Sequence, residues 1–538
     1  MKRGNPGSSG AGIAFGGALI SAVLLWFAYP PVSIFPLALI AYAPLLNRTP
    51  DQSARARFFI GWIHGAVLHA ALFYWLPDGL KEARGADTRE AFQAFINFSL
   101  YQGLFSGFFL WLLGFLGWKK SPFVFALGAG SLFALLESLF PFLVPLPLGG
   151  IAYKFPVLVQ AIELGSVSSL SFFFVFSSAL LGRSVSPHGS GQKGELKPWA
   201  IIVVLLSFFI CVYGIGRIHF ATSTDSELAK EREGSLSLGV VQPNLPIELD
   251  RQNNIASRAA ILDLTLGVQQ ALPEGSDLIL WPEGAFPFFF LPQERKGLPE
   301  GRQSYSHRYT QRILDHVRSQ GRPLIMGAMH EGGAGRIENG VFALSPDGSH
   351  QRYLKRWPLP WIEGGSFLRH IFGTTVEPLV LREVAQGDVF EVDRLKILPT
   401  LYQELGYGLD LYRRVASAKP DLILNLSDDR WFGSSSASEL QVMNQVVRAV
   451  ELRTPVARVA YGGVSVFVDE MGQILYRTAL LVEAAERWDY QRDEEIIPFA
   501  ARPGFFLLGY TVLLFLLMVW DRLGARKLGR RSSSRRKS

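Results

Sequence analysis

The chain has 538 residues, 49% of them hydrophobic and 18% charged, with a formal net charge of +7. Its single cysteine, Cys211, excludes an intramolecular disulfide and a zinc site of the CxxC kind. Apolar runs crowd the first 220 positions and recur near the C-terminus, which excludes a chain that is soluble throughout.

A bilayer-spanning helix needs about 20 mostly apolar residues. Seven stretches read as spans: Gly12–Tyr29, Ser33–Leu46, Phe58–Leu76, Ala91–Trp118, Pro122–Leu143, Pro156–Leu181 and Pro198–Ile218. An eighth, Phe505–Trp520, lies near the C-terminus, and it and the second are short. Basic residues mark alternate loops: Lys2 and Arg3, then Arg48, Arg55 and Arg57, then Lys119 and Lys120, then Arg183, Lys193 and Lys197. Positive loops stay in the cytoplasm. Lys81, Arg84 and Arg89, after the third run, go against the alternation. Eight spans return the basic tail "DRLGARKLGRRSSSRRKS" to the side of the N-terminus, which accounts for its charge without nucleic acid. The first run lacks a clear cleavage site and reads as a retained helix. Cys211 falls in the seventh run and is expected to pack as a small apolar residue.

The organisation expected is a membrane domain over 1–220, an extracytoplasmic domain over 221–501, a final span over 502–521 and a cytoplasmic tail over 522–538. Both termini are then cytoplasmic, in a multi-pass membrane protein. In the large domain, strand patterns ("SLSLGVVQ", "DLILWPEG", "PLIMGAMHE", "DVFEVDRLKILPTLY", "DLILNLSDD") alternate with helical ones ("SHRYTQRILDHVRSQ", "LDLYRRVASAK", "SELQVMNQVVRAVELR"). Such alternation predicts a layered α/β domain. It leaves open a single doubly wound sheet or two stacked sheets.

Three apolar runs end in charged residues. "LILWPEG" presents Glu283, "YLKRWPLPWIEGGSF" presents Lys355 with Glu363 eight residues on, and "ILPTLYQE" ends at Glu404. A carboxylate and an ammonium at neighbouring strand ends suit acid–base work, and equally a structural ion pair. The aromatic runs "AFPFFFLP", with Phe286 and Phe289, and "RWPLPWIEGGSFLRHIFG", with Trp357 and Trp361, read as loops that dip into lipid or as cover for the domain's own core.

These motifs, in this order, resemble the nitrilase (carbon–nitrogen hydrolase) superfamily. Eight spans with the domain between the last two resemble its apolipoprotein N-acyltransferase branch. "YPPVSIFPLALIAYAPLL", "GVVQPNLP", "LILWPEGAFP", "YLKRWPLPWIE", "LNLSDDRWFG", "RAVELRTPVARVAYGGVSVFVDEMGQI" and "ARPGFFLLG" carry the likeness over nearly the whole chain. The resemblance implies a polytopic α-helical membrane protein with an inserted αββα sandwich. It implies ping-pong acyl transfer through a Glu-Lys-Cys triad. A thiolate takes the acyl chain of a membrane phospholipid and passes it to the α-amine of a diacylglyceryl-cysteine lipoprotein. No cofactor, metal or nucleic-acid partner is implied.

Carried over, Glu283 is the base, Lys355 the oxyanion partner and Glu363 an additional active-site glutamate, with Glu404 supporting. The cysteine is absent. Aligning on Pro399 and Glu404 puts Tyr402 in its slot, the preferred register; aligning on the family's tyrosine puts Leu401 there. Past "WFG" the chain reads "SSSASELQ" where the family has a histidine-containing stretch. The routes left open are the Cys211 thiol, although it lies within an apolar run, an acyl-tyrosine, direct attack by the acceptor amine, activated water, or a non-catalytic relative that binds lipid or lipoprotein and assists a partner.

Overall fold

The computed structural model describes residues 7–49, 52–116, 122–184, 206–207, 210–211, 213–218, 235–252, 254–292, 300–331, 337–357, 389–491, 508–517 and 519. Trp361, Glu363, and the basic tail lie outside them, as does most of the seventh apolar run. The chain divides into two compact units. One is Met1–Tyr74, Phe92–Ile218 and Arg502–Ser538; the other is Trp75–Ala91 with His219–Ala501.

The first unit is helical. Helix Ala54–Leu72 packs on helix Thr88–Leu113 through facing "GWIHG" and "GLFSG" repeats. A Cβ at Gly65 would lie 2.8 Å from Gly103 Cα, and one at Gly61 2.3 Å from the Ser106 carbonyl oxygen. Paired small residues of this kind let two backbones approach closely where lipid offers no hydrophobic drive. Some polar groups inside the unit pair with one another or with backbone: Ser21 Oγ lies 3.1 Å from His64 Nε2, and Glu137 accepts from the Leu148 N–H at 2.7 Å. Among the described residues, Thr88–Leu113 and Pro122–Leu139 are long and apolar enough to cross a membrane, and four segments are if each of two bent helix pairs counts as one. Eight were expected. An apolar run does not require one straight helix. The sixth run is a short helix Pro156–Val159, a 3₁₀ turn Gln160–Leu164, a left-handed Ser166 (φ +68°) and then helix Val167–Ser184.

The second unit is a sandwich of two sheets. Its strands are β1 Ser235–Gln242, β2 Leu278–Leu280, β3 Phe286–Phe289, β4 Leu324–Glu331, β5 Ile337–Leu344, β6 His350–Leu354, β7 Phe390–Val392, β8 Leu395–Leu401, β9 Leu422–Asp428, β10 Val456–Tyr461, β11 Val466–Val468, β12 Ile474–Arg477 and β13 Ala484–Gln491. The first sheet has the order β13-β1-β2-β4-β5-β6, with β3 also on β4; the second runs β12-β11-β10-β9-β8-β7. Strand side chains alternate faces. Leu238, Val240, Leu278, Leu280 and Ile325 of one sheet therefore meet Ile397, Leu401, Leu422, Leu424 and Leu426 of the other. The opposite face of the first sheet (Val241, Ile279, Trp281, Met326) packs with Leu262 and Val268 of helix Ile255–Gln270 and Ile313 and Val317 of helix Glu300–Gln320. Helices Gly408–Ala418 and Ala437–Leu452 accompany the second sheet. Two stacked sheets between helices resolve the alternative the pattern left open.

One ion pair is sealed inside the second sheet. Arg458 on β10 donates to both oxygens of Asp429 at 2.7 Å and to Asn425 Oδ1 at 2.8 Å, and both charged side chains are fully buried. Ser427 and Ser438 satisfy the remaining carboxylate sites. Removing one partner leaves a buried charge. Arg458→Met is expected to destabilise the protein by about 3–5 kcal/mol, read by denaturant unfolding in detergent. The double variant Arg458→Met/Asp429→Leu is expected to recover part of that loss.

Candidate active site

Three strand ends converge, and two belong to the first sheet. Beyond β2 the chain turns through Glu283, whose Cα rests against Gly327 of β4. A Cβ at 327 would lie 2.5 Å from it, so glycine admits the turn. The Glu283 carboxylate is held from three sides. Asn339 Nδ2 on β5 donates to Oε1 at 2.5 Å, the Asp428 N–H at the end of β9 donates to Oε2 at 3.2 Å, and Lys355 Nζ stands 3.7 Å from Oε1. Lys355 directly follows β6, and its side chain is only 3% exposed. A buried ammonium requires a counter-charge, and Glu283 supplies it. The Lys355 N–H donates to the Asn339 carbonyl at 2.8 Å, so Asn339 fixes the carboxylate by its side chain and the lysine by its backbone.

The second sheet delivers Tyr402. Leu401 closes β8 in extended conformation, buried in the core between the sheets. Tyr402 then turns to φ +48°. A bulky residue in the left-handed region is uncommon, and such strain gathers at functional sites. Of the two residues that alignment offers for the cysteine slot, Leu401 faces the core and Tyr402 faces the lysine. Lys355 Nζ lies 6.0 Å from the Tyr402 ring centroid, and the ring packs against Phe432 (5.6 Å) and Trp431 (6.2 Å). Burial pushes the phenol pKa well above its ordinary value. The charges of Asp429 and Glu283 push the same way, and Arg458 opposes them.

Glu404 ties the two sheets together at this end. Its Oε2 accepts from the Leu401 N–H (2.8 Å) and the Tyr353 hydroxyl (3.0 Å), and its Oε1 from the Arg356 N–H (2.5 Å) and Trp357 N–H (3.0 Å). Burial raises its pKa, while Arg414 and Lys355 pull it back. Arg414 itself is buried, donates to the Pro399 carbonyl at 2.6 Å and lies over the Tyr353 ring. Trp357 stacks on Tyr407 at 4.4 Å and accepts from Gln403 Nε2 through its carbonyl, so it packs onto the turn after β8.

The aromatic run after Glu283 corrects the lipid-loop expectation. Phe286 and Phe289 are buried, and the backbone of β3 pairs with β4. Phe286, Phe288 and Phe290 join the cluster between the first sheet and its helices, with Phe288 stacked on Tyr309 at 4.0 Å. Rings spaced along a short strand fill the domain's own core. Sequence reasoning also missed Asn339, Trp431 and Phe432. "DRWFG" marked a motif without assigning a role, and nothing in "RIENG" distinguishes Asn339 from a turn residue.

A family model described as the apolipoprotein N-acyltransferase N-terminal domain matches residues 21–180, and one for carbon-nitrogen hydrolase matches residues 238–483. A protein of Geobacter metallireducens named apolipoprotein N-acyltransferase is 25% identical over 493 residues, 87% of each chain. One so named from Azotobacter vinelandii is 25% identical over 92% of this chain and 93% of its own. Another from Haemophilus influenzae is 24% identical over 93% of each. Among solved structures, an amidase from Nesterenkonia sp. aligns over 48% of this chain and 92% of its own, at 18% identity and a TM-score of 0.36. Along most of its length the chain is thus similar to proteins named apolipoprotein N-acyltransferase, with the N-terminal domain of that family followed by a carbon-nitrogen hydrolase domain, and its single cysteine is Cys211.

Proposed function

We propose that the protein transfers an acyl chain from a membrane phospholipid to the α-amine of a diacylglyceryl-cysteine lipoprotein, in one step and without an acyl-enzyme. The observation that carries this reading is a Glu283–Lys355 pair at 3.7 Å beside a slot whose phenol is buried and driven away from ionisation. The relatives' shared name points to the reaction, and the amine acceptor explains how it proceeds without sulfur. An α-amino group has a pKa of about 7.7–8.0, so a usable fraction is neutral near pH 7 and needs no thiolate to act for it.

In this reading the amine lone pair attacks the ester carbonyl carbon and the C–N bond forms. The carbonyl electron pair moves onto oxygen, opposite the Lys355 ammonium. Glu283 takes the proton shed by nitrogen. The C–O bond of the ester then breaks, and Glu283 returns the proton to the departing lysophospholipid hydroxyl. The Asp428 N–H donates to Glu283 Oε2 at 3.2 Å and so orients the carboxylate that takes the proton. Glu404 acts on position alone, by fixing the strand end that carries Lys355. Glu363 is assigned as an additional active-site glutamate and Trp361 as a lipid-contacting residue from their place in the "RWPLPWIEGGSF" motif alone. Alternation of basic loops supports eight spans in a bacterial inner membrane, with the sandwich domain extracytoplasmic and both termini cytoplasmic.

The test is expression in a strain depleted of its ordinary N-acyltransferase, with N-acylated lipoprotein read by mass. N-acylated product is expected, and none at all would overturn the proposal. Glu283→Gln is expected to lower transfer by about 10²- to 10⁴-fold, and Lys355→Met by about 10²- to 10³-fold. Tyr402→Phe is expected to retain transfer. An acyl adduct on Tyr402 of the unaltered chain, lost in Tyr402→Phe, would instead assign the covalent route.

Tyr402→Cys places a thiol in the family's slot. After incubation with phospholipid, mass spectrometry is expected to find an acyl thioester on that variant alone.

Glu404→Gln turns an amide NH₂ toward N–H donors. Its expected cost is about 1–3 kcal/mol of stability, together with a loss of transfer that Glu404→Asp does not restore, because the shorter side chain cannot span both strand ends.

A further inference from the structure

Residues Trp75–Ala91 cluster with the sandwich domain although about 130 residues separate them from it in sequence. Helix Leu76–Arg84 docks there at both ends. At its start the Trp75 ring packs on Phe432 (4.8 Å) and Trp431 (5.8 Å). One turn on, Gly79 lies against Trp431. A Cβ at 79 would stand 2.9 Å from Trp431 Cε3, so the ring would have to shift, and in tight contact with its carbonyl oxygen at 3.1 Å. At its end Arg251 reaches the helix's last carbonyls, Glu82 O at 2.9 Å and Lys81 O at 3.4 Å, and the Glu82 carboxylate at 2.5 Å. A helix terminus leaves carbonyls that need such donors.

Trp431 cannot yield freely. Its indole N–H donates to the Asp428 carbonyl at 2.8 Å, and its ring packs on Phe432 at 4.2 Å. Both rings wall Tyr402, and the N–H of Asp428 holds Glu283. Helix Leu76–Arg84 therefore bears on two of the three converging strand ends through one tryptophan.

We propose that Trp75 and Gly79 are positioning residues for the acyl-transfer site: the helix they belong to sets the place of Trp431, and through it the wall of the Tyr402 slot and the Asp428 N–H that orients Glu283. This also gives the charges of this loop, which run against the alternation of basic loops, a place in the fold. Arg84 ends a helix docked on the sandwich domain, and Lys81 pairs with Asp78 at 3.1 Å within it. The link to acyl transfer rests on the function proposed above; the link to the slot does not.

The slot is read by chemistry that needs no acyl transfer. In a Cys211→Ala/Tyr402→Cys chain, purified in detergent, the introduced thiol is alkylated by iodoacetamide and the rate is followed. Adding Gly79→Ala is expected to change that rate by about tenfold, within the range found for residues in contact. In a Trp431→Phe background, whose smaller ring leaves the new methyl chiefly the backbone carbonyl at 3.1 Å to meet, Gly79→Ala is expected to have a smaller effect. Arg251→Gln, which frees the far end of the helix without crowding it, is expected to shift the rate in the same direction while the melting temperature moves little. An unchanged rate with Gly79→Ala, or the same factor with and without Trp431→Phe, overturns the proposal. In the N-acylation assay Gly79→Ala is expected to lower kcat about tenfold at unchanged KM. If unaltered protein gives no N-acylated product while the alkylation cycle behaves as stated, the reaction assignment fails and the positioning inference stands.

Discussion

Two carboxylates fasten the ends of the two sheets to one another, and the site depends on them. Glu283 rises from the first sheet and takes an N–H from Asp428 of the second. Glu404 belongs to the second sheet and takes two N–H groups and a hydroxyl from the end of β6 in the first. Sheets packed face to face can slide at modest cost in apolar contact, since that attraction has little direction. Hydrogen bonds to charged acceptors are short and directional. Here they fix the strand ends relative to one another. The distance between Glu283 and Lys355 is then a property of the frame. Neither clamp uses the Tyr402 side chain, so that distance does not depend on the residue at 402.

The sequence disclosed what repeats and hid what closes at a distance. β1, β4 and β9 are continuous apolar runs bounded by turn residues, and each forms where its pattern places it. Strand β13 went unread. Its residues, "AAERWDYQ", are polar on one face, and it becomes a strand by pairing antiparallel with β1 in a register that starts at Ser235 opposite Gln491. Glu283, Lys355 and Tyr402 were legible because each ends an apolar run. Asn339 was not, since its meaning comes from which strand lies beside β6. The phenylalanines of β3 misled for a related reason. Aromatic density signals burial of some kind, and only the pairing of β3 with β4 decides that the cover is protein and not lipid. The break of the sixth apolar run at Ser166 was equally hidden, because hydropathy counts side chains and is blind to φ.

Helix Leu76–Arg84 belongs to the same class of concealed contact, and it has a mechanical consequence. Its contacts with the sandwich are few, but they fall on Trp431, which is already bonded to the Asp428 carbonyl and packed on Phe432. A rigid residue transmits a displacement that a flexible one would absorb, since close-packed interiors do not deform continuously. Glycine at 79 is what permits the approach; any larger residue would push on the wall of the slot.

A nucleophilic side chain matters less for the transfer proposed above than for amide hydrolysis. Amide hydrolysis must activate water, and a thiolate lowers that barrier by splitting one hard step into two. N-acylation of an α-amine starts from a nucleophile that is partly neutral at physiological pH. The frame need only bring amine and ester together, accept a proton and face the oxyanion with a cation. Correct placement alone is worth about 7–11 kcal/mol. Tyrosine in the slot adds no nucleophile: each pKa unit by which burial raises the phenol makes ionisation about 1.4 kcal/mol harder, and Lys355 stands over the ring face at 6.0 Å. What the ring does supply is an apolar surface continuous with Phe432 and Trp431, at the point where an acyl carbonyl would leave water. A dry wall beside an ion pair strengthens the field of that pair on a developing oxyanion.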